Sequence, residues 1–102
     1  LMSRTTINEL KNRRLAAMIA DERAEFDATY EATRLAIEVG EQIRDAREEA
    51  GLNQRELAAG MGTSQAAIAR LEAGSVAPTL TTLQKVAAAL NLKVAVGLSK
   101  AS

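Results

Sequence analysis

From Asn53 to Leu90 the apolar residues recur at helical spacing, in three short runs punctuated by glycine and by one proline-containing loop. Asn53 is an N-cap candidate for a run from Gln54 to about Met61, with Leu57, Ala58 and Met61 inward and Gly62 closing it. Ser64 caps a second run, which Gly74 closes. At ~100° per residue, Ile68 and Leu71 fall on one side of that helix and Ala66, Ala69, Arg70 and Ala73 on the other. "SVAP" is a loop, and Thr79 caps a third run to about Leu90, predicted to bury Leu80, Leu83, Val86, Ala87 and Leu90.

Upstream the pattern is looser. "TINE" at Thr6–Glu9 has the form of a capping box and predicts a weakly amphipathic helix from Ile7 to about Ala20. Asp21 caps a second helix that extends towards Ala50, where Gly51 supplies a left-handed stop. Phe26 and Tyr30 share one face, Ile37, Ile43 and Ala50 continue a buried stripe, and Gly40 is a weak point. A break near Thr33–Leu35 is left open by the pattern. The last segment changes period: Leu92, Val94, Val96 and Leu98 alternate with Lys93, Ala95 and Gly97, as in a β-strand. A lone strand cannot satisfy its own backbone groups. Its simplest partner is the same segment of a second copy, which predicts a homodimer joined through Leu92, Val94, Val96 and Leu98. The expected fold is thus an all-α bundle with one short C-terminal strand paired across a dimer.

Composition narrows the chemistry. A chain of 102 residues makes one small domain with an appended arm. With no cysteine and no histidine, it lacks thiolate ligands and the commonest general base. No nucleophile–base pair, metal cluster or phosphate loop is visible, so neither an enzyme nor a metal or cofactor site is expected. No apolar run approaches the ~20 residues of a membrane span, no signal peptide is visible, and the cytoplasm is the expected compartment. The net charge is zero but unevenly spread: +3 over residues 1–20, −6 over 21–49 and +3 over 50–102. Such a distribution fits two surfaces with different partners, a polyanion at the C-terminal half and a basic protein at the acidic middle.

An outer helix face that is small except for one arginine suits a helix that must approach something large and flat-walled. The two runs closed by Gly62 and Gly74, with "GMGTS" between them, have the form of a helix–turn–helix. "GLNQRELAAGMGTSQAAIARLEAG" resembles that motif in the Cro/C1 (Xre) repressors, through Leu52, Gln54, Glu56, Leu57, Ala58, Gly62, Ser64, Gln65, Ile68, Leu71, Glu72 and Gly74. The resemblance implies a λ-repressor-like bundle whose helix from Gln65 enters the DNA major groove. Gln65 would read a base, a glutamine amide being able to hold adenine with two hydrogen bonds. Ala66 and Ala69 would permit close approach, Arg70 would reach guanine or phosphate, and Gln54 would hold a phosphate at a helix start. Asn53, Arg55, Thr63, Ser64 and Ser75 are further backbone-contact candidates, although Asn53 and Ser64 act first as helix caps. The resemblance also pairs Arg47 with Glu72 as a partly buried structural ion pair. Five basic groups against two acids over residues 50–102 is modest for a DNA binder, so two copies on a pseudo-palindrome are expected, with half-sites ~34 Å apart.

"YEATRLAIEVGEQIRDAREEAGLNQ" is similar to the region leading into the motif of HigA-type antitoxins, at Tyr30, Glu31, Arg34, Glu38, Ile43 and Arg47. That resemblance implies a bacterial antitoxin which neutralises a small basic RNase toxin and represses its own operon, associated with the nucleoid at its operator. Ile7, Leu10, Leu15, Met18, Ile19, Phe26 and Tyr30 would then form the toxin-binding surface, being more apolar surface than a detached arm should expose. The competing reading packs them on the chain's own domain or on a dimer mate. The expected organisation is a helical arm at 1–35, a helix–turn–helix domain at 36–91 and a dimerisation strand at 92–99. The alternatives are a free-standing Xre-type repressor with an N-terminal dimerisation arm, and an adaptor that has lost DNA binding.

Overall fold

The computed structural model describes the backbone of residues 4–100 and the side chains of residues 8–100. Those residues form four α-helices: α1 (Arg4–Glu49), α2 (Gln54–Met61), α3 (Gln65–Ala73) and α4 (Leu80–Ala89). The chain divides into two compact units, before and after the Ala32–Thr33 bond.

Up to Ala32 the chain is helix throughout the described residues, with every described side chain exposed. The expected helix starts at Thr6 and Asp21 are not formed, because both residues lie inside α1. No glycine or proline lies between Arg4 and Val39, and Asp costs well under ~1 kcal/mol in a helix interior among favourable alanines. Thr29 is accommodated by donating its hydroxyl to the carbonyl of Glu25 (2.9 Å).

From Thr33 onward a core forms from Ile43, Leu57, Ala58, Ile68, Leu71 and Val86, with Val39, Met61, Leu83, Ala89 and Leu90 packed around it. The helix ends follow their residue types. Asn53 and Glu56 complete a reciprocal capping box, and the Ser64 and Thr79 hydroxyls accept from the third backbone N–H of their helices. Gly62 and Gly74 end α2 and α3 in left-handed conformations. Three expectations for the core are corrected. Ile37 is exposed and Leu80 keeps 64% of its surface, because α1 and α4 each turn a narrower stripe inward than the spacing predicts, and Ala50 is exposed in the turn that follows α1.

The expected C-terminal strand is likewise not formed in the single chain: residues 92–100 carry neither helix nor strand. Leu92, Val94, Val96 and Leu98 remain exposed, Leu98 completely. A ladder needs a second strand, and the described residues supply none.

Gly40 and Gly74 mark where α1 meets the end of α3. A Cβ on Gly40 would lie 2.5 Å from the Glu72 carbonyl oxygen and 2.6 Å from that of Leu71, and a Cβ on Gly74 would lie 2.7 Å from the Ile37 Cα. These obstacles are backbone and cannot swing aside. Gly→Ala inside a helix ordinarily stabilises by about 0.5–1 kcal/mol. Gly40→Ala is expected to do the opposite, costing about 1–3 kcal/mol by overpacking. Gly97→Ala, where a Cβ meets nothing within 4 Å, is expected to leave the thermal midpoint unchanged. Melting curves followed by circular dichroism check both.

Candidate nucleic-acid interface

The candidate surface is organised by a carboxylate that is not itself on it. Glu72 faces inward from the last turn of α3, 2% exposed. A lone charge there would cost several kcal/mol. Arg47, near the end of α1, answers it with a two-pronged contact: Nε donates to Oε2 at 2.7 Å and Nη2 to Oε1 at 2.9 Å. The remaining terminal nitrogen of Arg47 donates to the Leu52 carbonyl at 2.9 Å. Gln54, the first residue of α2, donates its amide to Glu72 Oε1 at 3.2 Å, and the half-exposed Arg44 stands 3.7 Å from the same oxygen. One buried group thus joins α1, α2 and α3. Burial alone would push the Glu72 carboxyl up, but the hydrogen bonds from Arg47 and Gln54 and the charges of Arg47 and Arg44 outweigh it. They hold the group below the usual carboxylate range. Reciprocally, the hydrogen bond that Arg47 donates to Glu72 raises the Arg47 guanidinium against the opposing effect of burial.

With Ile68, Leu71 and Glu72 facing in, α3 turns its other side outward. Gln65, Ala66 and Arg70 are exposed and Ala69 is half-buried, which leaves an outer face nearly free of bulk between Gln65 and Arg70. Those two residues are separated along the axis by ~7.5 Å, about the rise of two base pairs. The start of α2 comes alongside the start of α3, and Asn53, Gln54, Arg55 and Gln65 line one open polar cleft with Arg47.

Not every predicted contact lies there. Thr63 lines a different groove, of about 300 Å³, with Val76, Pro78, Thr82 and Lys85. Ser75 sits at the far end of α3, its N–H donating to the Arg70 carbonyl at 3.0 Å. The Asn53 and Ser64 side chains are occupied in capping. Arg44 beside Glu72 escaped the sequence reading, and Arg47, expected there only as the partner of Glu72, also stands on the cleft wall. Their spacing of three on one helix was the available signal.

Two short capped helices joined by a tight glycine turn, the second carrying a bare outer face, define a helix–turn–helix module. The chain belongs to the helix-turn-helix family (HTH_3), whose model matches residues 43–96, more than half of its length. It is 41% identical over 56 residues to an uncharacterized HTH-type transcriptional regulator, y4dL, of Sinorhizobium fredii (strain NBRC 101917 / NGR234). The match covers 55% of this chain and 29% of that protein. Among solved structures it is similar to the restriction-modification controller protein C.AhdI from Aeromonas hydrophila. The TM-score is 0.58 and the identity 26%, over 60% of this chain and 88% of the other.

The ion pair makes its own prediction. Removing one member, as in Arg47→Met or Glu72→Leu, is expected to cost about 3–5 kcal/mol, because the survivor is left buried and charged without its two-pronged partner. The double variant recovers most of that loss, measured by urea unfolding. Glu72 ionises more easily folded than unfolded. The pair's contribution is therefore complete above the ordinary carboxylate range and is lost as the pH falls through the lowered value. Urea midpoints of the parent protein should drop on acidification, whereas Glu72→Gln should start lower and lack this part of the drop.

Proposed function

We propose that this chain is a sequence-specific DNA-binding transcriptional repressor that occupies a pseudo-palindromic operator as a homodimer. The observation that carries the reading is the outer face of α3, small and exposed between Gln65 and Arg70 and pinned from behind by Glu72. A major groove ~12 Å wide admits a helix most closely where its side chains are short. Ala66 and Ala69 meet that need, Gln65 presents an amide to adenine and Arg70 a guanidinium to guanine or phosphate. Beside them Asn53, Gln54 and Arg55 offer a phosphate donors at a helix start, where the backbone N–H groups favour an anion. The relatives named as an HTH-type transcriptional regulator and as a restriction-modification controller support the same reading. Its place is the cytoplasm, at the nucleoid.

Two features support a second role, neutralisation of a small basic RNase toxin in the manner of HigA-type antitoxins. Leu10, Leu15, Met18, Ile19, Phe26 and Tyr30 are all exposed, Phe26 by 70%, and residues 21–49 carry a net charge of −6. An apolar and acidic surface fits a basic protein partner. The side chain of Ile7, the remaining residue of that expected surface, lies outside the described residues. The helix-turn-helix match at residues 43–96 does not include this arm, so the repressor reading takes precedence.

The test is a gel shift with DNA from upstream of the chain's own gene. Gln65→Ala with Arg70→Ala is expected to weaken binding about tenfold or more while the helical circular dichroism is kept, a good base contact carrying ~1–3 kcal/mol. No shift with the parent protein, or an unchanged shift with the variant, contradicts the reading. Co-expression with the neighbouring reading frame tests the second role: a small basic protein should co-purify with the parent chain and be lost with Phe26→Asp.

A further inference from the structure

The groove of about 300 Å³ between α3, α4 and the loop that joins them plays no part in the repressor reading. Ile68 and Leu71, themselves 1% and 6% exposed, stand at its base, with Met61, Val76 and Pro78 around them. Ala67 and Ala77 are too small to fill it. No carboxylate lines the groove. Lys85 carries its one charge, and among the described residues that charge makes no ion pair. Thr82 lies one turn before Lys85 on α4, so the two side chains are neighbours. The Thr79 hydroxyl donates to Thr82 Oγ1 at 2.9 Å and accepts the Thr82 N–H at 3.1 Å. That cap occupies the Thr82 oxygen as an acceptor and leaves the Thr82 hydroxyl proton to donate outward. Thr82 is also in the first turn of α4, where the helix dipole favours negative charge.

We propose that this groove is a binding site for a small organic acid, its compact apolar body seated over Ile68 and Leu71 and its carboxylate held by Lys85 and the Thr82 hydroxyl. Size, lining and charge together select that class. The volume stands at the small end of ligand sites and takes ~10 non-hydrogen atoms at ~30 Å³ each. A mostly apolar lining disfavours a sugar or an inorganic anion, whose polar groups would give up water without replacement. A cation with no acid beside it disfavours an amine. A duplex phosphate would match the cation and make no use of the apolar base. The site is independent of the repressor reading, since occupancy needs no DNA.

The probe is phenylacetate, a ring with one carboxylate and the matching size. Phenylacetamide serves as its uncharged equivalent and acetate as the anion without a body. In two-dimensional ¹⁵N spectra of the labelled protein, phenylacetate is expected to shift the amides of Thr63, Ala67, Val76, Thr82 and Lys85, saturating at millimolar concentration. Phenylacetamide and acetate should each bind about tenfold more weakly or less, since each lacks one half of the recognition. Lys85→Gln should bind the acid and the amide alike. Ala67→Leu, which fills the groove, should bind neither while its helical circular dichroism is kept. Spectra of the parent protein that neither phenylacetate nor hexanoate moves overturn the proposal. So does a parent protein that binds acid and amide equally, or phenylacetate binding undiminished in Lys85→Gln. Loss of the gel shift in Lys85→Gln, with phenylacetate leaving the parent spectra unmoved, overturns it too and assigns the groove to DNA.

Discussion

A single buried carboxylate sets the geometry of the functional half of this protein. Glu72 sits under α3 and is held by Arg47 from α1 and Gln54 from α2. A hydrophobic contact at that place would stabilise as well and orient less, since apolar side chains slide and repack. A two-pronged guanidinium–carboxylate contact accepts only one geometry. The same carboxylate fixes the amide of Gln54 at the head of α2, beside Gln65 at the head of α3. The arrangement that stabilises the module also aligns the two helix starts that face its proposed ligand. Gly40 completes the device, allowing the α1 backbone to close on the last turn of α3.

Much of this half was legible in the residues. Asn53, Ser64 and Thr79 are short polar side chains ahead of apolar runs, and Gly51, Gly62 and Gly74 stand where chains must turn through positive φ. These signals are local, so they survive folding unchanged. The pairing of Arg47 with Glu72 was legible through family resemblance and through the oddity of an acid facing inward. Other signals misled for physical reasons. Asp21 and Thr6 have the chemistry of caps, but no glycine or proline obliges a break near them, and α1 continues. Leu80 and Ile37 fit the apolar period, yet periodicity reports only which residues lie near a face and cannot say how wide the covered stripe is. The alternation from Leu92 to Leu98 is visible in the residues, but a ladder needs a second strand, the described residues supply none, and no strand is formed. Of the candidate site, Gln65, Gln54, Asn53 and Arg55 come together in one cleft. Thr63 and Ser75 lie apart from it, because a position just outside a helix follows the turn rather than the helix face.

The charge distribution follows the same division. The segment from residue 50 onward is mildly basic and carries the bare helix face. Its excess of three positive charges neutralises few phosphates, which is why the proposed repressor reading takes two copies on one duplex. Residues 21–49 are acidic and would repel a duplex. The protein partner proposed for the arm has the opposite, basic character.

The central claim is that the outer face of α3 enters the groove of a duplex. The most direct measurement is a two-dimensional ¹⁵N NMR titration of the labelled protein with DNA from upstream of its own gene. The account predicts that amide shifts concentrate at Asn53, Gln54, Gln65, Ala66, Ala69 and Arg70. Shifts confined to other surfaces, with these six signals unmoved at saturating duplex, would contradict it.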